Sequence, residues 1–406
     1  MRVEALTLKN VGPFDLLTLP FEKCGGEGRA EIHLLVGENG CGKSTVLYAL
    51  ANLFRNFDSG PQPHDVSSRI RMEEAPAIEA VIDGQTYFER VKKISRGNFA
   101  HDAQYPQPVF INGKRSFAVF AYSGACRFEN TPVSAEFDPQ KGALQFTKAV
   151  NLHALRDWLL NSPRGKKSRM ELESAFGALG GEDLRIECAR GKPLFFVKRG
   201  QRVPAEALPG GTQSILCWVA DLQMRLGSLD WHGRARPGKR PFLLLLDEID
   251  IHLHPRWQRF FFHFLQRLFP HAQIIASTHS PFAVSSVSAG WVHRFKPDYV
   301  TGKAFHAESV PSQEGHTISY VHENLFGLPT EFGVQAESEL VAFTLALRKV
   351  RAGKGSLEKD VLPLAEILAA KSQELTTMVG FELNQLRRQM EQPKRSRRAR
   401  RGGRKR

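Results

Sequence analysis

The chain has 406 residues, of which 42% are hydrophobic and 24% charged, and its formal net charge is +14. Such a balance suits a folded protein with a substantial core and excludes a collagen-like or wholly disordered chain. The longest apolar run, Phe242-Leu243-Leu244-Leu245-Leu246, is far shorter than the roughly 20 residues that span a bilayer, and Met1 to Ala5 does not open a signal peptide. A cytoplasmic protein with no membrane association is expected.

In chain order, Val3 to Leu8 alternates as a strand before the Gly12-Pro13 turn, and Ile32-His33-Leu34-Leu35-Val36 reads as a buried strand. It leads into Gly37-Glu38-Asn39-Gly40-Cys41-Gly42-Lys43-Ser44-Thr45, a complete G-x-x-x-x-G-K-[ST] phosphate loop. Glycines there allow a tight turn whose N–H groups converge on phosphate, and the following helix, Val46 to Leu53, offers its positive end to the same anion. Lys43 would reach the β- and γ-phosphates of ATP and Ser44 would supply a hydroxyl to Mg²⁺. Cys41 lies inside the loop, where alkylation of an accessible thiol would block nucleotide binding.

Residues 57 to 75 read as a loop. Ala77–Ile82 and Thr86–Val91 flank Asp83-Gly84 as a hairpin within a small β-lobe. Helical spacing over 150–180, then strands over 184–200, form an insertion without sustained heptads. Leu208-Pro209-Gly210-Gly211-Thr212-Gln213-Ser214 opens an apolar helix, and a glycine pair at a helix N-terminus suits an anion.

Pro241 to Leu246 is a buried strand ending in Asp247-Glu248, the Walker B arrangement. Asp247 would support Mg²⁺ and Glu248 would polarise the attacking water. A second buried strand, Gln273 to Ser277, delivers Thr278-His279-Ser280-Pro281, with His279 placed to contact the γ-phosphate. Helices are predicted over Glu337–Lys349, Leu357–Ala370 and Leu375–Met390.

Nine of the last thirteen residues, Lys394 to Arg406, are Lys or Arg, and without them the net charge falls to +5. That tail is expected to be disordered. It could contact DNA through phosphates, with a salt slope of at most about −8; a plain solubilising tail is the alternative. The five cysteines, Cys24, Cys41, Cys126, Cys188 and Cys217, are widely spaced and imply no disulfide framework or zinc ribbon.

Phosphate loop, glycine signature, Walker B and switch histidine stand in the order of an ATP-binding-cassette (ABC) head. Asp247-Glu248-Ile249-Asp250-Ile251-His252-Leu253-His254-Pro255, Trp257-Gln258 and Thr278 to Pro281 resemble the soluble SMC/RecF/OLD-like branch. Within it the chain is similar to predicted ATP-binding proteins involved in virulence and, more distantly, to Septu- and retron-type phage-defence ATPases. Ala121-Tyr122-Ser123-Gly124-Ala125-Cys126-Arg127 matches a Tyr-Gly-x-x-Arg element of that group, near where a Q-loop would lie. The likeness covers about residues 1–285 well and the C-terminal helices loosely. It implies an α/β P-loop fold and an ATP-sandwich homodimer in which Gly210, Gly211, Thr212 and Gln213 face the phosphate loop of the second subunit. It places His252 and His254 in a D-loop, against a metal site there.

Two features depart from the resemblance. Pro209 occupies the usual signature serine and offers neither hydroxyl nor N–H, which points to slow or partner-dependent hydrolysis. The insertion is too short for a zinc-hook or hinge-bearing arm. The expected organisation is an N-terminal part of the ATPase head (1–56), a β-lobe with a Q-loop-like segment (57–135), an α/β insertion (136–205), the rest of the head (206–300), a helical region (301–391) and a basic tail (392–406). A transporter and an intrinsic nuclease are disfavoured, since neither a membrane segment nor a Toprim or His-Asn-His cluster is present. The leading expectation is an ATPase whose dimerisation regulates a DNA- or effector-linked process in phage defence or genome maintenance. The contrasting one is an ATP-binding scaffold assembling with an effector such as a nuclease.

Overall fold

A seven-stranded sheet runs through most of the chain's first 311 residues, in the order β10-β9-β14-β15-β3-β16-β17. The computed structural model describes residues 1–24, 28–60, 75–95, 98–131, 137–180, 184–190, 192–198, 200–312, 314–327 and 332–402. The sheet's members are β3 (Glu31–Gly37), β9 (Ala118–Glu129), β10 (Thr147–Asn151), β14 (Phe242–Asp247), β15 (Ala272–Ser277), β16 (Trp291–Asp298) and β17 (Lys303–Pro311). All neighbours pair in parallel except β16 and β17.

The near-continuous apolar runs of β3 and β14 follow from burial on both faces. Leu243 and Leu245 enter one core and Phe242, Leu244 and Leu246 the other, as the two-residue strand period requires. The first core is covered by α1 (Lys43–Leu53) and by an antiparallel sheet in the order β2-β1-β4-β5-β6. These strands are β1 (Val3–Val11), β2 (Phe14–Pro20), β4 (Ala77–Ile82), β5 (Gln85–Ser95) and β6 (Asn98–Gln104). The expected hairpin turn is present, with Asp83 and Gly84 both at positive φ, 49° and 74°. A short hairpin, β7 (Phe110–Ile111) with β8 (Lys114–Arg115), leads into β9.

The second core is covered by α2 (Leu152–Asn161), α3 (Pro163–Gly180), α4 (Gly210–Ser228) and α5 (Pro255–Leu268). A three-stranded sheet of β11 (Leu184–Glu187), β12 (Phe195–Lys198) and β13 (Gln201–Pro204) joins it, and α6 (Pro281–Ser285) and α7 (Ile318–Val321) complete this unit. Residues Met1–Gly327 form one compact unit and Leu328–Arg406 a second. The second is built from α8 (Val334–Arg351), α9 (Leu362–Ala369) and α10 (Gln373–Gly402) around Phe343, Leu347, Leu368 and Leu386.

The architecture redraws the sequence-based boundaries. β4 to β6 pair with the N-terminal β1 and are no separate lobe from residues 1–56. β9, assigned to that lobe, lies inside the main sheet between β10 and β14, because its largely apolar length can be buried only there. The helical region begins after Gly327, not at 301, since β16 and β17 extend the sheet. α10 extends through Gly402 into the basic segment. The expected loop over 61–74 and the tail residues 403–406 fall outside the described residues. Among the described residues, no helix is long and apolar enough to cross a membrane.

Candidate nucleotide-binding site

The C-terminal ends of the adjacent strands β14, β15 and β3 bring three separate motifs together. The phosphate loop leaves β3 with Gly37, Gly40 and Gly42 at φ 147°, 80° and 91°. Only glycine serves at two of them. A Cβ on Gly37 would lie 2.4 Å from the Phe295 carbonyl oxygen, and one on Gly42 would meet the Phe14 ring at 2.3 Å. Glu38, Asn39 and Gly40 form the exposed rim, and the Glu38 carboxylate accepts from the Tyr299 hydroxyl at 2.5 Å.

Lys43 opens α1 and folds back over the loop, its ammonium donating to the carbonyls of Gly37 at 2.9 Å and Glu38 at 2.8 Å. Burial lowers its pKa, with nearby Cys41, Asp247 and Glu248 opposing. Cys41 is fully buried, and burial raises its thiol. The alkylation route suggested by its position in the loop is therefore closed in this conformation. Thr45 is buried as well, and Gly12 packs against its side chain.

Ser44 and Asp247 lie 203 residues apart in sequence, and the serine hydroxyl donates to Asp247 Oδ1 at 2.9 Å. Ser277, at the end of β15, donates to the same oxygen at 2.6 Å, while its own Oγ accepts the Glu248 N–H at 2.7 Å. The Tyr48 hydroxyl reaches Asp247 Oδ2 at 3.3 Å. A serine hydroxyl and a carboxylate are hard oxygen ligands of the kind Mg²⁺ prefers, so Ser44 and Asp247 fit that ion. The loop's glycines and Lys43 fit the phosphates of a nucleotide.

Glu248 follows with φ at 52°, an unusual conformation for a non-glycine residue, and its side chain is exposed. Partial burial of its carboxyl comes first in holding it above the ordinary glutamate value, then Asp247 and Asp250, with Lys43 and Lys148 opposing. Gly124 of β9 lies under it, since a Cβ there would stand 1.9 Å from the Glu248 carbonyl oxygen. The Tyr-Gly-x-x-Arg resemblance thus marks a strand whose glycine admits the Walker B turn.

His279 is exposed at the end of β15, and its N–H donates to Asp250 Oδ2 at 3.0 Å. Partial burial of the ring and Lys43 lower its pKa, against Asp250 and Asp247. Gln258 of α5 ties the segment after Walker B to the switch segment. Its Nε2 donates to the carbonyls of Leu253 and Asp250 at 3.0 and 3.3 Å, and its Oε1 accepts from Ser280 at 2.6 Å. His254 Nδ1 accepts from the Arg256 N–H at 3.2 Å and so caps α5.

The glycine signature behaves differently. Pro209 is the N-cap of α4, Gly210 is exposed, and Gly211 is required because a Cβ would lie 2.3 Å from the His252 carbonyl oxygen. Thr212 and Gln213 turn inward and are buried, the Gln213 amide donating to the Ala205 carbonyl at 3.2 Å. Only the backbone end of α4 is presented outward. Sequence reasoning missed Ser277 and the bridging part of Gln258. Their signal was faint, one being a serine at a strand end and the other a polar residue one position from Trp257.

Residues 130–285 match the family described as AAA domain, putative AbiEii toxin, Type IV TA system, and residues 1–104 match a second AAA domain family. A Septu protein PtuA from Bacillus thuringiensis is 23% identical over 309 residues, 70% of this chain and 74% of that protein. The Retron Vc95 probable ATPase from Vibrio cholerae serotype O1 biovar El Tor is 34% identical over 93 residues, 23% of this chain. The chain spans only 18% of that retron protein's length. Among solved structures, the SMC head domain from Thermotoga maritima aligns with 77% of this chain and 99% of that one, at 18% identity and a TM-score of 0.41.

Proposed function

We propose that this P-loop ATPase chain, an SMC/RecF/OLD-like relative of the Septu and retron proteins, binds and hydrolyses ATP, and that two copies close on ATP as a regulatory switch. The observation that carries the reading is the hydrogen-bonded set Ser44, Asp247, Ser277 and Glu248 beside Lys43, assembled at the C-terminal ends of three adjacent strands.

Bound Mg²⁺ would offset charge on the β- and γ-phosphate oxygens. Ser44 and Asp247 would hold it, and Ser277 keeps the Asp247 carboxylate oriented. Lys43, buried and already lying over the loop, exchanges its two carbonyl partners for phosphate oxygens. Glu248 holds the attacking water and takes its proton, and its raised pKa makes the carboxylate a stronger base. His279 contacts the γ-phosphate from the end of β15, its backbone steadied by Asp250.

In the dimer, the exposed N-terminus of α4 at Gly210 and Gly211 faces the second subunit's γ-phosphate through backbone N–H groups and the helix dipole. Thr212 and Gln213 support that turn from inside. The process under control is DNA- or effector-linked, in phage defence or genome maintenance. Pro209, which brings no hydroxyl to the interface, favours a second reading in which turnover is weak and the ATP-bound assembly scaffolds an effector such as a nuclease.

Phosphate release and light-scattering mass, measured on wild type and Glu248→Gln with and without duplex DNA, test the proposal. Wild-type turnover with an ATP-trapped dimer in the variant is expected. Turnover unchanged by the substitution would remove Glu248 from the mechanism, and ATP-dependent assembly without any wild-type turnover would favour the scaffold.

A further inference from the structure

Away from the nucleotide site, a trough opens between α3 and α5. Its main chamber, about 640 Å³, is lined by Met170 and Ala175 of α3 and by Phe260, Phe264 and Leu268 of α5. A second chamber of about 340 Å³ shares Lys167, Glu171, Arg236 and Gly238 with the first and is floored by Gln223, Leu226 and Trp231.

Two properties of the trough point to one kind of occupant. Its apolar surface is open: α5 turns Phe261, Phe262, Phe264 and Leu265 inward, yet Phe260 remains 46% exposed and Met170, facing it from α3, 60% exposed. Its rim is basic. Lys167, Arg236, Lys239 and Arg267 stand against the single carboxylate Glu171, which Arg236 approaches at 3.7 Å.

We propose that this trough docks an acidic segment of a partner protein, with bulky apolar side chains filling the larger chamber. An elongated two-chamber shape suits a peptide segment, whose side chains enter successive pockets. The excess of cations around an apolar floor selects acidic residues beside the anchors and speeds encounter. Duplex DNA offers the negative charge but no apolar groups to fill the space between Met170 and Phe260. The docking requires neither ATP hydrolysis nor dimerisation by this chain.

The test is fluorescence anisotropy on the full chain with three labelled probes: a peptide of Glu, Asp, Leu and Phe, a polyglutamate peptide of equal charge, and a duplex oligonucleotide. The mixed peptide is expected to bind about tenfold or more tightly than polyglutamate, and to weaken about tenfold with Phe260→Ser and with Arg236→Glu combined with Arg267→Glu. Absence of mixed-peptide binding, or binding indifferent to both changes, overturns the proposal. So does duplex binding that is lost in the double Arg variant and retained in Phe260→Ser, which would assign the trough to nucleic acid.

Discussion

The Ser277 hydroxyl donates to Asp247 Oδ1 at 2.6 Å and accepts the Glu248 N–H at 2.7 Å. One side chain from β15 thereby sets both the direction of the Walker B carboxylate and the turn that presents the adjacent glutamate. Ser277→Ala removes both bonds without adding bulk. Orienting partners of this kind are worth about tenfold to a hundredfold in metal affinity. The variant should therefore need about tenfold more Mg²⁺ for half-maximal ATP turnover. A Mg²⁺ titration that superimposes on wild type would show that Ser277 is only a packing residue.

Glu248 must be ionised to take a proton from water, so turnover should fall as pH drops through its pKa. Burial, Asp247 and Asp250 hold that pKa above the ordinary value, and the acidic limb of the pH profile is displaced upward with it. Asp250→Asn removes one of the raising charges while keeping an oxygen to accept the His279 N–H. The limb should move to lower pH in this variant. An unmoved limb would mean that another group controls it.

A buried hydrogen-bonded chain crosses β3, β16 and β17. The Glu31 carboxylate meets His33 Nε2 at 2.8 Å, His33 Nδ1 meets His293 Nε2 at 3.1 Å, and Ser309 bridges His293 Nδ1 and His306 Nε2 at 2.7 and 2.9 Å. Arg2 pairs with Glu31, and the Phe21 ring packs edge-on against both inner histidines. Burial lowers the pKa of His33 and His293, with their mutual repulsion adding for His293 and Glu31 opposing for His33. Both are neutral in the fold, so their contribution to stability is complete above the unfolded value of about 6.5 and is lost as pH falls below it. Each costs up to about 1.4 kcal/mol per pH unit in that range. The wild-type melting temperature should drop between pH 7.5 and 5.5, and His293→Gln, though less stable at pH 7.5, should drop less. A flat wild-type profile over that range contradicts this account.

Tyr122 of β9 and Arg225 of α4 share the Asp221 carboxylate, with both bonds to Oδ2, at 2.8 and 2.6 Å. Burial works to lower the Arg225 pKa, but Asp221 and Tyr122 outweigh it and raise it. Asp221→Asn leaves a buried guanidinium without its counter-charge, a change that costs about 3–5 kcal/mol. Urea unfolding followed by circular dichroism should show a midpoint shift of that order. A loss below about 1 kcal/mol would mean that the Arg225 bonds to the Pro139 and Lys141 carbonyls are sufficient by themselves.

Much of the nucleotide site was legible in the linear chain because its parts are local. The phosphate loop needs only consecutive glycines and the residues on either side, and Asp247 and His279 each sit at the end of an apolar strand that announces itself. The Asp83-Gly84 hairpin and the C-terminal helices were readable for the same reason, since turn chemistry and helical period act over a few residues. Tertiary structure alone decided that β9 enters the main sheet beside β14, that Ser277 reaches Asp247 across 30 residues, and that His33 meets His293 across 260. It also turned Thr212 and Gln213 inward and buried Cys41. These outcomes depend on which strands become neighbours, and neighbours are chosen by covering both apolar faces of one sheet at once. No short stretch of the chain carries that constraint.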